Sequence, residues 1–180
     1  MDFKEALTNI KNDMIEKEEV FEAIRRGYSQ LENSSETEIL EYFSISSAKE
    51  LPGHVSNIKG ILFEQEVQDK LTINGIESNI FKETNHPYSD LQIIEDNDVI
   101  QELQLKATNS ASYINNTLSE NPDLQIIATS EIANLMDKEE VINSEISNAV
   151  IEEVVVETLS PVSKTGIGLF GIGLLFGLPF

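Results

Sequence analysis

Apolar positions recur at three- and four-residue spacing over residues 2–28: Phe3, Ala6, Leu7, Ile10, Met14 and Ile15, then Val20, Phe21 and Ile24. That is the stripe of an amphipathic helix or of a helical pair. Asn33-Ser34-Ser35 interrupts it and can cap a short helix through Ile39 and Phe43. Residues 44–53 (SISSAKELPG) read as a polar connection ending in a Pro-Gly turn. A second amphipathic helix is expected over residues 55–71, with Ile58, Ile61, Leu62, Phe63, Val67 and Leu71 on its apolar side, and Asn74-Gly75 ends it.

Beyond Gly75 the period changes. Residues 76–81 (IESNIF) alternate loosely as a first strand, residues 90–94 (DLQII) read as a second, and residues 99–107 (VIQELQLKA) as a third. The polar turn at residues 95–98 joins the last two into a hairpin. Residues 110–119 are expected to be helical, Asn121-Pro122 breaks that helix, and residues 124–128 (LQIIA) form a short buried strand. The order is helix, three-stranded meander, helix, strand, and the helix-crossed final strand points to a mixed α/β sheet. Residues 130–158 read as two more helices. The β-branched run VIEEVVVETL leaves a strand open as the alternative for the second.

Three regions follow: a helical N-terminal extension over 1–53, an α/β domain over 54–160, and a glycine-rich apolar tail over 161–180. Within the tail, residues 166–180 carry no charge and five glycines. That stretch is shorter than the roughly 20 residues of a membrane-spanning helix. Gly173 and Gly177 have the small-xxx-small spacing of packed membrane helices. Membrane contact through residues 166–180 is therefore one expectation, and a buried terminal segment or a longer apolar region cut short are the others.

Composition changes the picture chiefly through charge. The chain has 32 acidic and 12 basic residues, a formal net charge of −20, and its two arginines are the adjacent Arg25 and Arg26. Between residues 61 and 120 three lysines face eleven acids. Duplex DNA is usually gripped through phosphate neutralisation, so naked DNA should bind poorly unless a divalent metal or a basic partner assists. The absence of cysteine excludes a disulfide framework and thiolate metal sites. The charged N-terminal residues lack the apolar core of a secretory signal. Together these suggest a cytoplasmic protein, with membrane association through the tail as the variant of that expectation.

Four residues fall in an order suited to metal-assisted phosphodiester hydrolysis: Glu64 on the helix, Asp90 opening the second strand, and Gln104 and Lys106 on the third. Side chains alternate along a strand, so Glu102, Gln104, Lys106 and Thr108 share one face and Leu103 and Leu105 the other. Hydrolysis needs a hard cation to polarise a phosphoryl oxygen and acidify the attacking water. Magnesium takes oxygen ligands and keeps several waters, so two or three protein oxygens suffice. Asp90 offers a carboxylate, Gln104 an amide carbonyl, and Glu64 a carboxylate directly or through water. Lys106 would orient the water or balance charge developing on phosphate. His54 and His86 read as structural residues, His86 beside a proline turn.

The pattern GxxFExxV from Gly60, then Asp90, then Gln104-x-Lys106, resembles the PD-(D/E)XK, or restriction-endonuclease-like, nuclease superfamily in its QxK variant. The resemblance spans residues 60–130, with the stretch HPYSD ending at Asp90 in place of the usual proline-aspartate pair. It implies a restriction-endonuclease-like α/β core and a DNA endonuclease dependent on Mg2+ or Mn2+. Glu64, Asp90, Gln104 and Lys106 would be its catalytic residues and Asp90, Gln104 and Glu64 its metal ligands. A defence, mobile-element or toxin setting would suit such an enzyme. Gln104 removes one ligand charge, which Glu102 could restore. Two alternatives stand beside it: a nuclease fold that has lost cutting and serves as a binding module, and a membrane-associated effector acting through the tail. The N-terminal helices are the expected surface for a protein partner.

Overall fold

The computed structural model describes residues 2–9, 14–81 and 89–160. The elements run α1 (Phe3–Thr8), α2 (Lys17–Gly27), α3 (Glu36–Ser44), α4 (Leu51–Ile73), β1 (Ser78–Ile80), β2 (Leu91–Glu95), β3 (Asp98–Lys106), α5 (Ala111–Glu120), β4 (Ile126–Ala128), α6 (Ser130–Met136), β5 (Val141–Asn143) and α7 (Asn148–Leu159). The tail and His86 lie outside the described residues, as do the expectations that rest on them. Among the described residues no helix is long and apolar enough to cross a membrane.

One mixed sheet in the order β1-β2-β3-β4-β5 organises the α/β fold. β1, β2 and β3 form an antiparallel meander, while β4 and β5 add in parallel to the β3 side. Parallel neighbours need crossovers, and α5 and α6 supply them. Buried residues on the sheet separate by face. Leu91, Ile93, Leu103, Leu105, Ile127 and Ile142 join the large core made with α1, α2, α3, α4 and α7. Ile126, Ala128 and Val141 join a smaller one with α5 and α6. β4 is thus buried on both faces, as a central parallel strand should be.

α4 is the central helix. It packs against α2, α7, β1 and β3 and buries Val55, Ile58, Ile61, Leu62, Phe63, Val67 and Leu71. The N-terminal helices share this core: Ala6, Leu7, Val20, Ala23, Ile24, Ile39 and Phe43 are buried in the same cluster. α2 approaches α4 closely at Gly27, where an added Cβ would stand 2.1 Å from Ile61 Cδ1.

Three expectations are corrected. Residues 44–53 are not a connection throughout, because α4 begins at Leu51 and Pro52 lies in its first turn. Proline suits that position, since the first-turn N–H groups lack helical partners. Residues 130–158 hold a strand, β5, between their two helices. The β-branched run at 150–159 is helical, as first expected, and not the strand left open as its alternative. Met14, placed on the apolar stripe, is 86% exposed.

Candidate active site

β2 and β3 bring the site together where their ladder ends. The pairing runs from Glu95–Asp98 to Leu91–Leu103, and one residue beyond it the Asp90 carboxylate takes over. Its Oδ2 accepts the Leu105 N–H at 2.8 Å, while the Asp90 N–H donates to the Leu103 carbonyl at 2.9 Å. A backbone donor at a strand end is thereby satisfied by a side chain, which holds Asp90 in one orientation. Lys106 Nζ lies 3.7 Å from the same Oδ2, with the two side chains 16% and 14% exposed.

The alternation of β3 holds where it matters for the site. Leu103 and Leu105 are buried in the large core, and Gln104 and Lys106 are half-buried between and after them. The Gln104 side-chain oxygen, Oε1, is buried without a hydrogen-bond partner. Such an acceptor costs about 1–3 kcal/mol and asks for an explanation. Glu102 stands apart from this cluster: it is exposed, and its carboxylate accepts Gln92 Nε2 at 2.8 Å and the Ser89 hydroxyl at 3.4 Å.

Glu64 reaches the site from α4. Burial pushes its carboxyl above the usual carboxylate range and neighbouring Asp90 adds to that rise, while Arg26 and Lys106 oppose it. Glu64, Asp90 and Lys106 are therefore electrostatic neighbours. Thr108 does not extend the polar face: it lies past the end of β3, where its Oγ1 accepts the Ser110 N–H.

Sequence reasoning missed Arg26. This residue, in the last turn of α2, donates from Nη2 to Glu64 Oε2 at 2.6 Å and to the Phe81 carbonyl at 3.0 Å. Phe81 in turn donates its N–H to the Asp90 carbonyl at 3.4 Å. A single arginine thus ties α4 to the strand end that carries Asp90. Its partners lie 38 and 55 residues away, beyond any local period. The one available signal was that both arginines of so acidic a chain sit together on the polar side of an amphipathic helix. His54 is structural: its Nδ1 pairs with the Tyr28 hydroxyl at 2.9 Å, and the ring packs against Tyr28 and Phe43.

Among the described residues no cluster of three or more histidine, cysteine, aspartate or glutamate side chains is placed to hold a metal. The Glu64 and Asp90 carboxylates are electrostatic neighbours, and carboxylate oxygens are the kind of donor that a hard cation such as magnesium takes while retaining water. No family model, curated protein or solved structure matches the chain.

Proposed function

We propose that the protein is a divalent-metal-dependent DNA endonuclease with a restriction-endonuclease-like core, its site formed by Glu64, Asp90, Gln104 and Lys106. The observation that carries this reading is the electrostatic grouping of Glu64, Asp90 and Lys106 at the parting of β2 and β3, with Gln104, two residues before Lys106 on β3, carrying a buried unpaired oxygen. The element order from α4 through β1–β3, α5 and β4 also agrees with the order the resemblance implies.

Asp90, Gln104 and Glu64 would hold Mg2+ or Mn2+ through oxygen, Glu64 directly or through water. A bound cation would polarise a phosphoryl oxygen and lower the pKa of the attacking water. The chain's own groups do the remaining work. Leu105 N–H pins one oxygen of Asp90, leaving the other for a ligand. Lys106, held beside that carboxylate, offers its ammonium to the attacking water or to the developing phosphate charge. Burial holds a fraction of Glu64 protonated to higher pH than usual, so cation binding should release that proton and strengthen as pH rises.

The test is cleavage of supercoiled plasmid and branched DNA in Mg2+ or Mn2+ by the wild type, Asp90→Ala and Lys106→Ala. The wild type should cut, and each variant should cut far more slowly. A second reading has its own observations: the cluster has only two carboxylates among the described residues, and the net charge is −20. On that reading the protein is a nuclease fold that binds without cutting. Inert wild type in both metals would select it.

A further inference from the structure

A groove of about 810 Å³ lies between α4 and α7. Positions 66, 69, 70 and 73 of α4 and positions 150, 153, 154 and 157 of α7 line it. In each helix these are i, i+3, i+4 and i+7, the stripe that forms one helical face. At 3.6 residues per turn the α4 stripe lies on the opposite side of the helix from Glu64. None of Glu64, Asp90, Gln104 and Lys106 lines the groove, so it is a second place on the molecule and not part of the cluster.

Its lining combines exposed apolar surface with negative charge that the fold does not answer. Met14 is 86%, Ile73 55% and Val150 49% exposed. A surface helix is ordinarily polar away from its core stripe. α7 departs from this: Ile151, Val155 and Leu159 fill the core, yet Val150 and Val154 lie on the groove side. Exposed apolar surface rimmed by charge marks an interaction site. Six of the lining residues are acids and one, Lys70, is a base, and Lys70 is held by the Ser144 carbonyl at 2.9 Å. The carboxylates of Asp69, Glu153 and Glu157 meet no cation and no donor among the described residues.

We propose that this groove docks a basic amphipathic helix of a partner protein. The partner's apolar side chains cover Met14, Ile73 and Val150, and its lysines or arginines pair with Asp69, Glu153 and Glu157. Two helices packed side by side offer a channel for a third, and amphipathic helices enter such channels through anchors at this same spacing. Charge selects the occupant. The chain's own residues 166–180 carry no charge, and a second copy carries a net −20, so neither supplies the cations that three unanswered carboxylates call for.

The chain has three methionines, and Met14 lines the groove, so methyl-13C-methionine in the full-length protein reports on it. The signal lost in Met14→Leu belongs to Met14. The probe is an amphipathic peptide of leucine and lysine, about 18 residues or five helical turns long. The Met14 signal should shift saturably with this peptide, while that of Met136 on α6 stays in place. Combined Asp69→Asn, Glu153→Gln and Glu157→Gln should weaken binding about tenfold, the sum of three exposed ion pairs. Combined Glu22→Gln, Glu41→Gln and Glu120→Gln removes as much charge from exposed positions outside the groove and should leave binding as it is. Val150→Asp adds a charge in the first turn of α7, where the helix tolerates it, but removes apolar contact, and should also weaken binding. An unmoved Met14 signal, equal weakening by the two triple variants, or tighter binding by Val150→Asp overturns the proposal. So does a Met14 signal that moves in peptide-free protein with Phe170→Asp, which assigns the groove to the tail, or with protein concentration, which assigns it to a second copy. Whether the protein cuts DNA alters none of these outcomes.

Discussion

Glu64 on α4 and Glu131 on α6 are both carboxylates that face helix α2 or α7 from a neighbouring helix, and they are answered very differently. Glu131 is exposed, yet each of its oxygens is in use. Oε1 accepts the Ser147 hydroxyl at 2.6 Å and the Ala149 N–H at 3.2 Å, and Oε2 accepts the Asn148 N–H at 2.8 Å. These donors open α7, where a negative charge is favoured by the helix dipole. Partial burial pushes the Glu131 carboxyl up, but these hydrogen bonds together hold it below the usual carboxylate range. Glu64 is more buried and less well matched. Burial raises its carboxyl despite Arg26, and the arginine that answers it is itself half unpaired.

The contrast teaches where to look for function. A carboxylate whose acceptors are all filled by its own fold has nothing left to offer a ligand. The arginine that answers Glu64 keeps a guanidinium nitrogen without an acceptor, and on β3 the Gln104 side-chain oxygen is likewise unpaired. On the proposed reading of the site, that deficit is where a ligand would be received.

The strongest way to break the comparison is to remove the reacting groups. Asp90→Ala or Lys106→Ala should lower DNA cleavage by roughly 10²–10³-fold, the usual effect of losing one electrostatic group in a site, while thermal melting shows the fold retained. Glu131→Gln should leave cleavage unchanged. Next comes stability at the mismatched pair. Arg26→Met strands Glu64 without its counter-charge and should cost about 3 kcal/mol at neutral pH. That deficit should shrink in urea melts as acid protonates Glu64.

Glu131→Gln should cost only about 1 kcal/mol, in the range of a lost helix cap. The two carboxylates should also bend the pH profile of stability in opposite directions. Glu131, held low, stabilises the fold above its ordinary value of 4.5 and loses that contribution as pH falls. Glu64, held high, contributes stability below 4.5 that is lost as pH rises through its folded value. Urea melts from pH 3.5 to 7 should therefore show Glu131→Gln flattening the acid loss and Glu64→Gln removing the loss on the other side. A small net effect is expected at Gly27. Alanine there displaces the end of the buried Ile61 side chain, an overpacking of about 1–3 kcal/mol offset by about 1 kcal/mol of helix propensity, with a slight loosening of the Arg26–Glu64 contact.

What was legible in the sequence follows from the range of each signal. The period of β3 placed Leu103 and Leu105 inside and Gln104 and Lys106 on the other face, because nine residues of strand carry their alternation openly. The long stripe of α4 did the same for Glu64. β5 was missed although β1 and β4 are as short, because Val141-Ile142 is a bare apolar pair between the polar runs 137–140 and 143–145. The start of α4 was hidden because Pro52-Gly53 is a turn signal that a helix tolerates in its first turn. The capping role of Glu131 and the bridge made by Arg26 both depend on contacts between elements distant in the chain, and no local pattern announces them.

Manganese binding tests the central claim most directly. Titration of Mn2+ against the wild type, Glu131→Gln, Asp90→Ala and Glu64→Gln, followed by loss of the free-ion electron paramagnetic resonance signal, compares the two regions in one experiment. One saturable site is expected in the wild type and Glu131→Gln, abolished by Asp90→Ala and weakened by Glu64→Gln. Binding that is absent throughout, or identical in all four proteins, would contradict it.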